Sequence, residues 1–189
     1  GTATHSLVTS QTTLAVTTAS GSSASQISHA YHKYFPGFGM LSEMTVQCGD
    51  TGKTGNQRCW GLFDDNDGVF FRLNESVLEV VVRSSTSGAP VDTPVASTSW
   101  SDNKADGTGA DEFNMDITKI NIFWIDYQWL GAGRIRFGVY DEGAIRIILH
   151  SVENANKFSV PYMKTGDQPL RFENVNTAGT AGTSEMRWV

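Results

Sequence analysis

The chain has 189 residues and a formal net charge of −6, with 14 Lys and Arg against 20 Asp and Glu. This length suits one domain with its own core, and ten Phe, five Trp and five Tyr argue against disorder over most of the chain. An acidic balance without a basic run argues against a nucleic-acid partner, and no apolar run approaches the roughly 18 residues of a membrane-spanning helix.

The N-terminal segment, residues 1–32, contains no Lys, Arg, Asp or Glu, and fourteen of its first 28 residues are Ser or Thr. The run GSSAS at Gly21–Ser25 is typical of a flexible linker. Leu14 and Val16 alternate with polar residues, which instead favours an extended arm that adds strands to a neighbouring subunit. Both interpretations stay open, and we expect an extended N-terminal arm or linker.

From Lys33 onward, short segments rich in Val, Ile and aromatic residues alternate with turn residues, as in antiparallel strands. The predicted strands are Glu43–Gly49, Arg58–Phe63, Gly68–Leu73, Val77–Ser84, Asn121–Trp129, Arg134–Tyr140, Ala144–Ser151, Leu170–Asn174 and Ser184–Val189. One helical turn is predicted near Asp116–Ile120. The pattern predicts an all-β fold, an antiparallel β-sandwich of jelly-roll or concanavalin-like type, over residues 33–189. We expect this domain to continue beyond Val189, because the chain ends within a strand-like segment.

Cys48 and Cys59 flank the turn-like sequence GDTGKTGN. If residues 45–49 and 57–62 form a hairpin around it, the two cysteines are equidistant from its centre and face each other. A disulfide and two unbonded thiols both fit this arrangement, so the redox compartment stays open.

The segment NIFWIDYQW at Asn121–Trp129 places two different faces on one strand. Phe123, Ile125, Tyr127 and Trp129 form an apolar face that we expect to meet the core. Ile122, Trp124, Asp126 and Gln128 form a mixed face that we expect to meet a groove, a partner or a turn. Strand alternation also predicts a ladder of ion pairs on one side of the sheet, from Asp126, Arg134, Arg136 and Arg146.

Concanavalin-like glucanases carry catalytic carboxylates at alternate positions of one strand. The most similar strand here, Trp124–Gln128, contains a single carboxylate, Asp126. Because glycosidic hydrolysis needs two carboxylates, we predict no enzymatic activity and no catalytic residues, and a glycoside hydrolase is the disfavoured alternative.

The acidic turn DDNDG contains Asp64, Asp65 and Asp67. A calcium loop of the EF-hand type is longer and ends in a bidentate Glu, whereas a strand follows here. We predict a hairpin turn and keep the three carboxylates as candidate calcium ligands. No other cofactor is predicted.

A long segment between Ser84 and Asp111 is rich in Ser, Thr, Gly, Asp and Pro, which is typical of a surface excursion. It contains Trp100, Asp102 and Asn103. An aromatic ring that stacks on a sugar, beside polar groups that form hydrogen bonds, would make a lectin-like site. In the alternative interpretation, a lectin-like module that recognises glycans of a host surface, these three residues are the candidate binding residues, together with Asp64, Asp65 and Asp67.

Four stretches in this order resemble a family of virion structural proteins found mainly in tailed bacteriophages: Trp60–Phe71, Val80–Thr93, Trp124–Val139 and Pro161–Thr177. The resemblance covers roughly residues 33–189. It implies a component of the virus particle (capsid decoration, spike or tail fibre) that forms homo-oligomers, contacts other virion proteins and is exposed on the particle. It supplies no catalytic residues.

Overall fold

The computed structural model describes residues 1–109, 112–180 and 182–189, and these contain thirteen strands and one short 3₁₀ helix, Ser97–Ser99. The strands are β1 (Thr2–Ser6), β2 (Gln11–Val16), β3 (Ser23–Ile27), β4 (Met40–Gln47), β5 (Asn56–Phe63), β6 (Gly68–Asn74), β7 (Val77–Ser84), β8 (Val91–Ala96), β9 (Asn121–Tyr127), β10 (Ile135–Tyr140), β11 (Arg146–Val152), β12 (Leu170–Asn176) and β13 (Ser184–Trp188).

The strands form two sheets that pack face to face. The seven-stranded sheet has the order β1-β2-β13-β4-β9-β10-β11, and the six-stranded sheet has the order β3-β12-β5-β6-β7-β8. The paired strands in both sheets run antiparallel. The predicted fold class, an antiparallel β-sandwich, is confirmed.

The first 27 residues take part in this sandwich instead of forming an arm or a linker. Strand β2 lies between β1 and β13, and β3 pairs with β12. Leu14 and Val16 of β2 are buried in the core, while the alternate residues Thr13 and Ala15 are only partly buried. The alternation that suggested strand addition to a neighbour therefore completes the sheets of the same chain, and the predicted arm is corrected.

The turn predicted near Asp116–Ile120 is present, with the Lys119 amide donating to the Asp116 carbonyl at 3.1 Å, but it is not helical. Asp116 Oδ1 accepts hydrogen bonds from the backbone amide and the hydroxyl of Thr118, at 2.9 and 2.6 Å. Such a side-chain turn competes with a helix, and the chain enters β9 directly after it.

Aromatic rings from both sheets meet in the centre of the core. Trp60 and Phe71 come from the six-stranded sheet, and the Phe123 ring lies 5.0 and 4.9 Å from their centroids. Phe71 also meets Phe137 edge-on at 5.4 Å. The predicted core face is confirmed for Phe123, Ile125 and Tyr127, which are buried, whereas Trp129 lies beyond the end of β9 and is only partly buried against the core.

A buried polar network joins the two sheets beside this aromatic centre. The Asn174 amide donates to the carbonyls of Leu14 and Ser184, at 3.0 and 3.1 Å. Asn56 donates to Asn174 Oδ1 at 2.8 Å and accepts a bond from the Ser184 hydroxyl at 2.9 Å. Arg58, 0% exposed, donates to the Cys48 carbonyl at 2.6 Å. These bonds satisfy polar groups that would otherwise be buried without partners.

The predicted hairpin around GDTGKTGN is wrong, because β4 and β5 lie in opposite sheets. Cys48 packs in the core between the sheets, whereas Cys59 packs with Phe63, Phe70 and Val81 on the outer side of the six-stranded sheet. Both thiols are free and buried among the described residues, so the disulfide considered above is not formed.

Candidate functional site

The outer side of the seven-stranded sheet carries a patch of charged and aromatic side chains that we call the β9–β10 face. It consists of Glu43 of β4, Trp124 and Asp126 of β9, Arg136 and Tyr140 of β10, and Arg146 of β11. These positions alternate with core residues such as Phe123 and Val139. The mixed face predicted for β9 therefore lies on this outer surface.

The floor of the face is the Trp124 indole, which lies over Gly138 on the neighbouring strand. A Cβ atom at position 138 would collide with the indole ring, so glycine leaves the space that the ring occupies. The indole N–H donates to the Val139 carbonyl at 3.2 Å, and the Arg146 guanidinium covers the ring at 5.9 Å from its centroid. Trp124 is consequently buried although it lies on the outer side of the sheet.

Glu43, Tyr140 and Arg146 form a hydrogen-bonded triad above this floor. Arg146 donates from Nε to the Tyr140 oxygen at 2.6 Å and from Nη2 to Glu43 Oε1 at 2.8 Å. The Tyr140 hydroxyl in turn donates to Glu43. The bonds from Tyr140 and Arg146 lower the pKa of the Glu43 carboxyl below its ordinary value, so this group is ionised at neutral pH.

The predicted ion-pair ladder is present only in part. Asp126 pairs with Arg136 across adjacent strands. Arg146 instead pairs with Glu43, and Arg134 lies 3.8 Å from Glu153 at a separate position.

An open groove adjoins the β9–β10 face at Tyr140. Its volume is ≈ 610 Å³, which would suit a small ligand. Its walls include Asn114, Lys119, Ile122 and Glu142. Ile122 is exposed, as is Ile120 beside it. The face and groove together offer hydrogen-bond donors, acceptors and apolar surface at one place.

This geometry does not supply the acid of a glycosidase at the β9–β10 face. Glu43 holds its negative charge through two hydrogen bonds, and Asp126, the other carboxylate of the face, forms an ion pair with Arg136. Retaining and inverting hydrolysis both require a carboxyl group that is protonated before bond cleavage. Glu43, with its lowered pKa, does not meet this requirement.

The predicted glycan residues lie apart from this face. Trp100 is only 4% exposed, and its indole donates to the Val95 carbonyl at 3.0 Å, so the ring cannot stack on a sugar. Asn103 is buried and accepts a bond from the Ala105 amide at 2.7 Å. Asp102 is exposed and accepts from the Ser101 hydroxyl at 2.6 Å. Asp111, which ends the predicted excursion, lies outside the described residues.

The three carboxylates of the DDNDG turn have different partners. Asp64 Oδ1 accepts from the amides of Asn66 and Asp67, at 2.7 and 2.9 Å, which stabilises the predicted turn between β5 and β6. Asp65 pairs with Arg171 at 2.6 Å, which lowers the pKa of its carboxyl. Asp67 is 3% exposed and accepts from the Ser85 hydroxyl at 2.7 Å.

The described part of the chain contains no group of three or more His, Cys, Asp or Glu side chains arranged to hold a metal ion. The geometry of this turn therefore gives the calcium prediction no support. Among the same residues, no helix is long and apolar enough to cross a membrane.

The sequence interpretation missed Glu43 and Tyr140 as members of the site. Tyr140 continues the alternation Arg136, Gly138, Tyr140 along β10, which was the available signal. Glu43 had no such signal, because its place depends on the pairing of β4 with β9, two strands that lie far apart in the sequence.

No protein-family model and no curated protein matches the chain. Solved structures with a similar fold include an endo-beta-1,4-glucuronan lyase from the fungus Trichoderma reesei, with 12% identity, a TM-score of 0.54, and coverage of 99% of this chain and 84% of the lyase. An uncharacterised protein from Mycobacterium paratuberculosis has 12% identity and a TM-score of 0.51 over 95% of this chain and 79% of its own.

Botulinum neurotoxin type C is similar over the whole of this chain, with 9% identity and a TM-score of 0.51. The chain spans 40% of the length of that toxin structure. At these identities the three likenesses show the sandwich fold, and they identify no family.

Proposed function

We propose that the protein is a carbohydrate-binding module that uses the β9–β10 face and its groove to hold a glycan without cleaving it. The observation that carries this proposal is the triad of Glu43, Tyr140 and Arg146 beside the groove. Sugars present hydroxyl groups that both donate and accept hydrogen bonds, together with apolar C–H faces. The carboxylate and the guanidinium supply hydrogen bonds, and the exposed side chains of Ile120 and Ile122 in the groove supply apolar surface.

The structural neighbours are compatible with a glycan as the ligand class. Entry of botulinum neurotoxin type C into cells depends on interaction with two ganglioside molecules. The lyase from Trichoderma reesei acts on glucuronan. A sandwich of this kind is thus found in proteins that bind or act on carbohydrates.

The test is a glycan array followed by calorimetric titration of the strongest hit. We expect Arg146→Ala to weaken binding at least about tenfold, because it removes two charge-assisted hydrogen bonds of the triad. Tyr140→Phe keeps the ring and removes only the hydroxyl, so a smaller loss is expected. Arg134→Ala is the matched control, because Arg134 is similarly exposed but lies outside the face.

Two results would contradict this proposal. The first is an array without any hit, and the second is undiminished binding by a folded Arg146→Ala variant. Release of reducing sugar from the bound glycan would show that the protein is an enzyme and not only a binding module.

We also propose, as a second candidate, a structural component of a virus particle that self-associates and contacts other virion proteins. The feature that favours it is the edge strand β1, which carries no Lys, Arg, Asp, Glu or Pro. Leu7 and Val8, in the turn after it, are 89% and 95% exposed. Natural sheet edges usually carry charge or proline when they must stay unpaired.

Light scattering at micromolar concentration tests this second candidate. We expect an oligomer for the unmodified protein and a monomer for Thr4→Lys, which places a charge on the β1 edge. Thr9→Lys, in the turn after β1, is the control. A monomeric unmodified protein would contradict self-association, and electron microscopy of native material would test the particle itself.

A further inference from the structure

A second cavity opens at the edge of the sandwich, between β7 and β8 of one sheet and β11 of the other. Its volume is ≈ 440 Å³, which is within the range of small-molecule sites. Val80, Val82 and Val95 line it on the side of the six-stranded sheet. Val152 and Pro161 line it on the other side. We call this cavity the edge cleft; it shares no lining residue with the β9–β10 face.

The lip of the edge cleft is apolar and uncovered. Phe158 and Val160, from the segment after β11, are 61% and 56% exposed and line the cleft. Large apolar side chains exposed beside an apolar cavity form a continuous patch that loses contact with water when a ligand enters. This patch favours an apolar ligand.

His150 supplies a defined polar group in the lining. Its Nδ1 accepts a hydrogen bond from the Ser101 amide at 3.1 Å, so this nitrogen carries no proton in the neutral ring. The proton is then on Nε2, which can donate to a ligand. Burial lowers the pKa of His150 below its ordinary value of 6.5, although Asp102 acts in the opposite direction. The ring is therefore neutral at pH values near neutrality.

The charged groups at the edge cleft do not favour an ion. Lys157 and Glu153 both line it and carry opposite charges. Asp102, the acidic neighbour of His150, accepts from the Ser101 hydroxyl. An anion would meet only the exposed ammonium group of Lys157, and its transfer from water into a mainly apolar cavity carries a considerable cost in free energy.

We propose that the edge cleft binds a small, uncharged, mainly apolar molecule that carries one hydrogen-bond-accepting oxygen. Its hydrocarbon part packs against Val82, Val95 and Phe158, and its oxygen accepts a hydrogen bond from Nε2 of His150. This site is independent of glycan binding, because the two sites use different residues in different parts of the sandwich.

The test is an NMR titration of the isotope-labelled protein with cyclohexanone. The Trp100 indole N–H reports on the site, because it bonds to the carbonyl of Val95, whose side chain lines the cleft. We expect saturable shifts of this signal. Thr93→Trp should weaken binding at least about tenfold by filling the cleft with a ring on an exposed strand position. Thr2→Trp, also exposed on an edge strand, should leave binding unchanged.

A second comparison isolates the hydrogen bond. His150→Phe keeps an aromatic ring but removes Nε2–H, so we expect about three- to tenfold weaker binding of cyclohexanone. Binding of benzene, which has no oxygen, should change little in the same variant. A merely structural role of His150 would weaken both ligands equally.

Four results would overturn the proposal. Shifts that do not saturate, or an affinity that is undiminished in Thr93→Trp, would mean that the edge cleft is not the site. Equal losses of affinity for cyclohexanone and benzene in His150→Phe would show that His150 donates no hydrogen bond to the ligand. Tighter binding of octanoate than of cyclohexanone would replace the uncharged ligand class with an anionic one.

Discussion

Cys48 and Cys59 are single residues whose chemistry is set by burial. Burial raises the pKa of each thiol to about 12, so both are protonated under ordinary conditions. We expect neither to react with Ellman's reagent at about pH 8 in the folded protein, because the thiolate is the reactive form. Both should react in guanidinium chloride without a reductant.

The single variants Cys48→Ser and Cys59→Ser are the controls, and each should leave one titratable thiol after unfolding. Fast reaction in the folded state would contradict the burial of the thiols. If the unfolded protein did not react with Ellman's reagent, the two cysteines would be joined by a disulfide bond.

His150 gives the molecule a specific pH dependence. Its pKa is lowered in the folded state, so the unfolded chain binds a proton first as the pH falls below about 6.5. Its contribution to stability is complete above that value and declines below it, until the folded-state group also titrates. We expect the midpoint of urea unfolding to fall between about pH 7 and about pH 5.

His150→Gln should flatten this part of the stability profile, whereas His29→Gln, at an exposed position, should not. If the urea midpoint of His150→Gln changed with pH as much as that of the unmodified protein, the pH dependence would come from other groups.

At the scale of single residues, the sequence predicted the placement of some side chains and not of others. The pair of Asp126 and Arg136 followed from alternation along two adjacent strands, because alternation determines the face of a side chain. The burial of Trp100 did not follow, since it depends on a bond to the Val95 carbonyl. A polar segment around a tryptophan gives no information about such a bond.

Strand β2 is the element that best tests whether the N-terminal segment is a detached arm or part of the sandwich. Leu14 is 0% exposed on its inner side, whereas Leu7, in the preceding turn, is 89% exposed. We expect Leu14→Ala to lower the free energy of unfolding by about 2–5 kcal/mol, because it leaves a cavity in the core. Leu7→Ala should change it by less than about 0.5 kcal/mol.

Urea unfolding followed by tryptophan fluorescence measures both variants. Equal stability of Leu14→Ala and the unmodified protein would restore the interpretation of residues 1–32 as a detached arm.

Elements with dense Val, Ile and aromatic alternation were predictable, and Val77–Ser84 has the predicted bounds. Strand β8 was missed because its sequence, VDTPVA, contains Pro94, which occurs in strands mainly at sheet edges. Strands β1 to β3 were missed because their Ser and Thr content is also typical of linkers. Only tertiary pairing distinguishes these two possibilities.

At the scale of the whole molecule, the buried polar network that joins the two sheets contributes to the free energy of unfolding. Asn174→Ala would leave the buried carbonyls of Leu14 and Ser184 and the Asn56 amide with fewer partners. We expect a loss of at least about 2 kcal/mol in the free energy of unfolding, because each orphaned buried group carries a desolvation cost. Asn66→Ala, at an exposed turn position, is the matched control and should be nearly neutral.

A loss below about 0.5 kcal/mol in Asn174→Ala would mean that hydrophobic packing alone holds the sheets together. At this scale, the sandwich architecture could be predicted from period-two patterns, but its strand order could not. The hairpin expected between β4 and β5 shows why, since a turn-like sequence does not reveal that the chain crosses from one sheet to the other there.

Strand β13 lies between β2 and β4, although it is the last of the thirteen strands in chain order. During translation, the pair β1-β2 therefore stays separated from β4 and the strands beyond it until residues 184–188 leave the ribosome. The borders of that gap are β2 and β4, which are open to chaperones and to other nascent chains in the meantime. Closure of this gap pairs segments that lie far apart in the sequence, and pairing of that kind is slow.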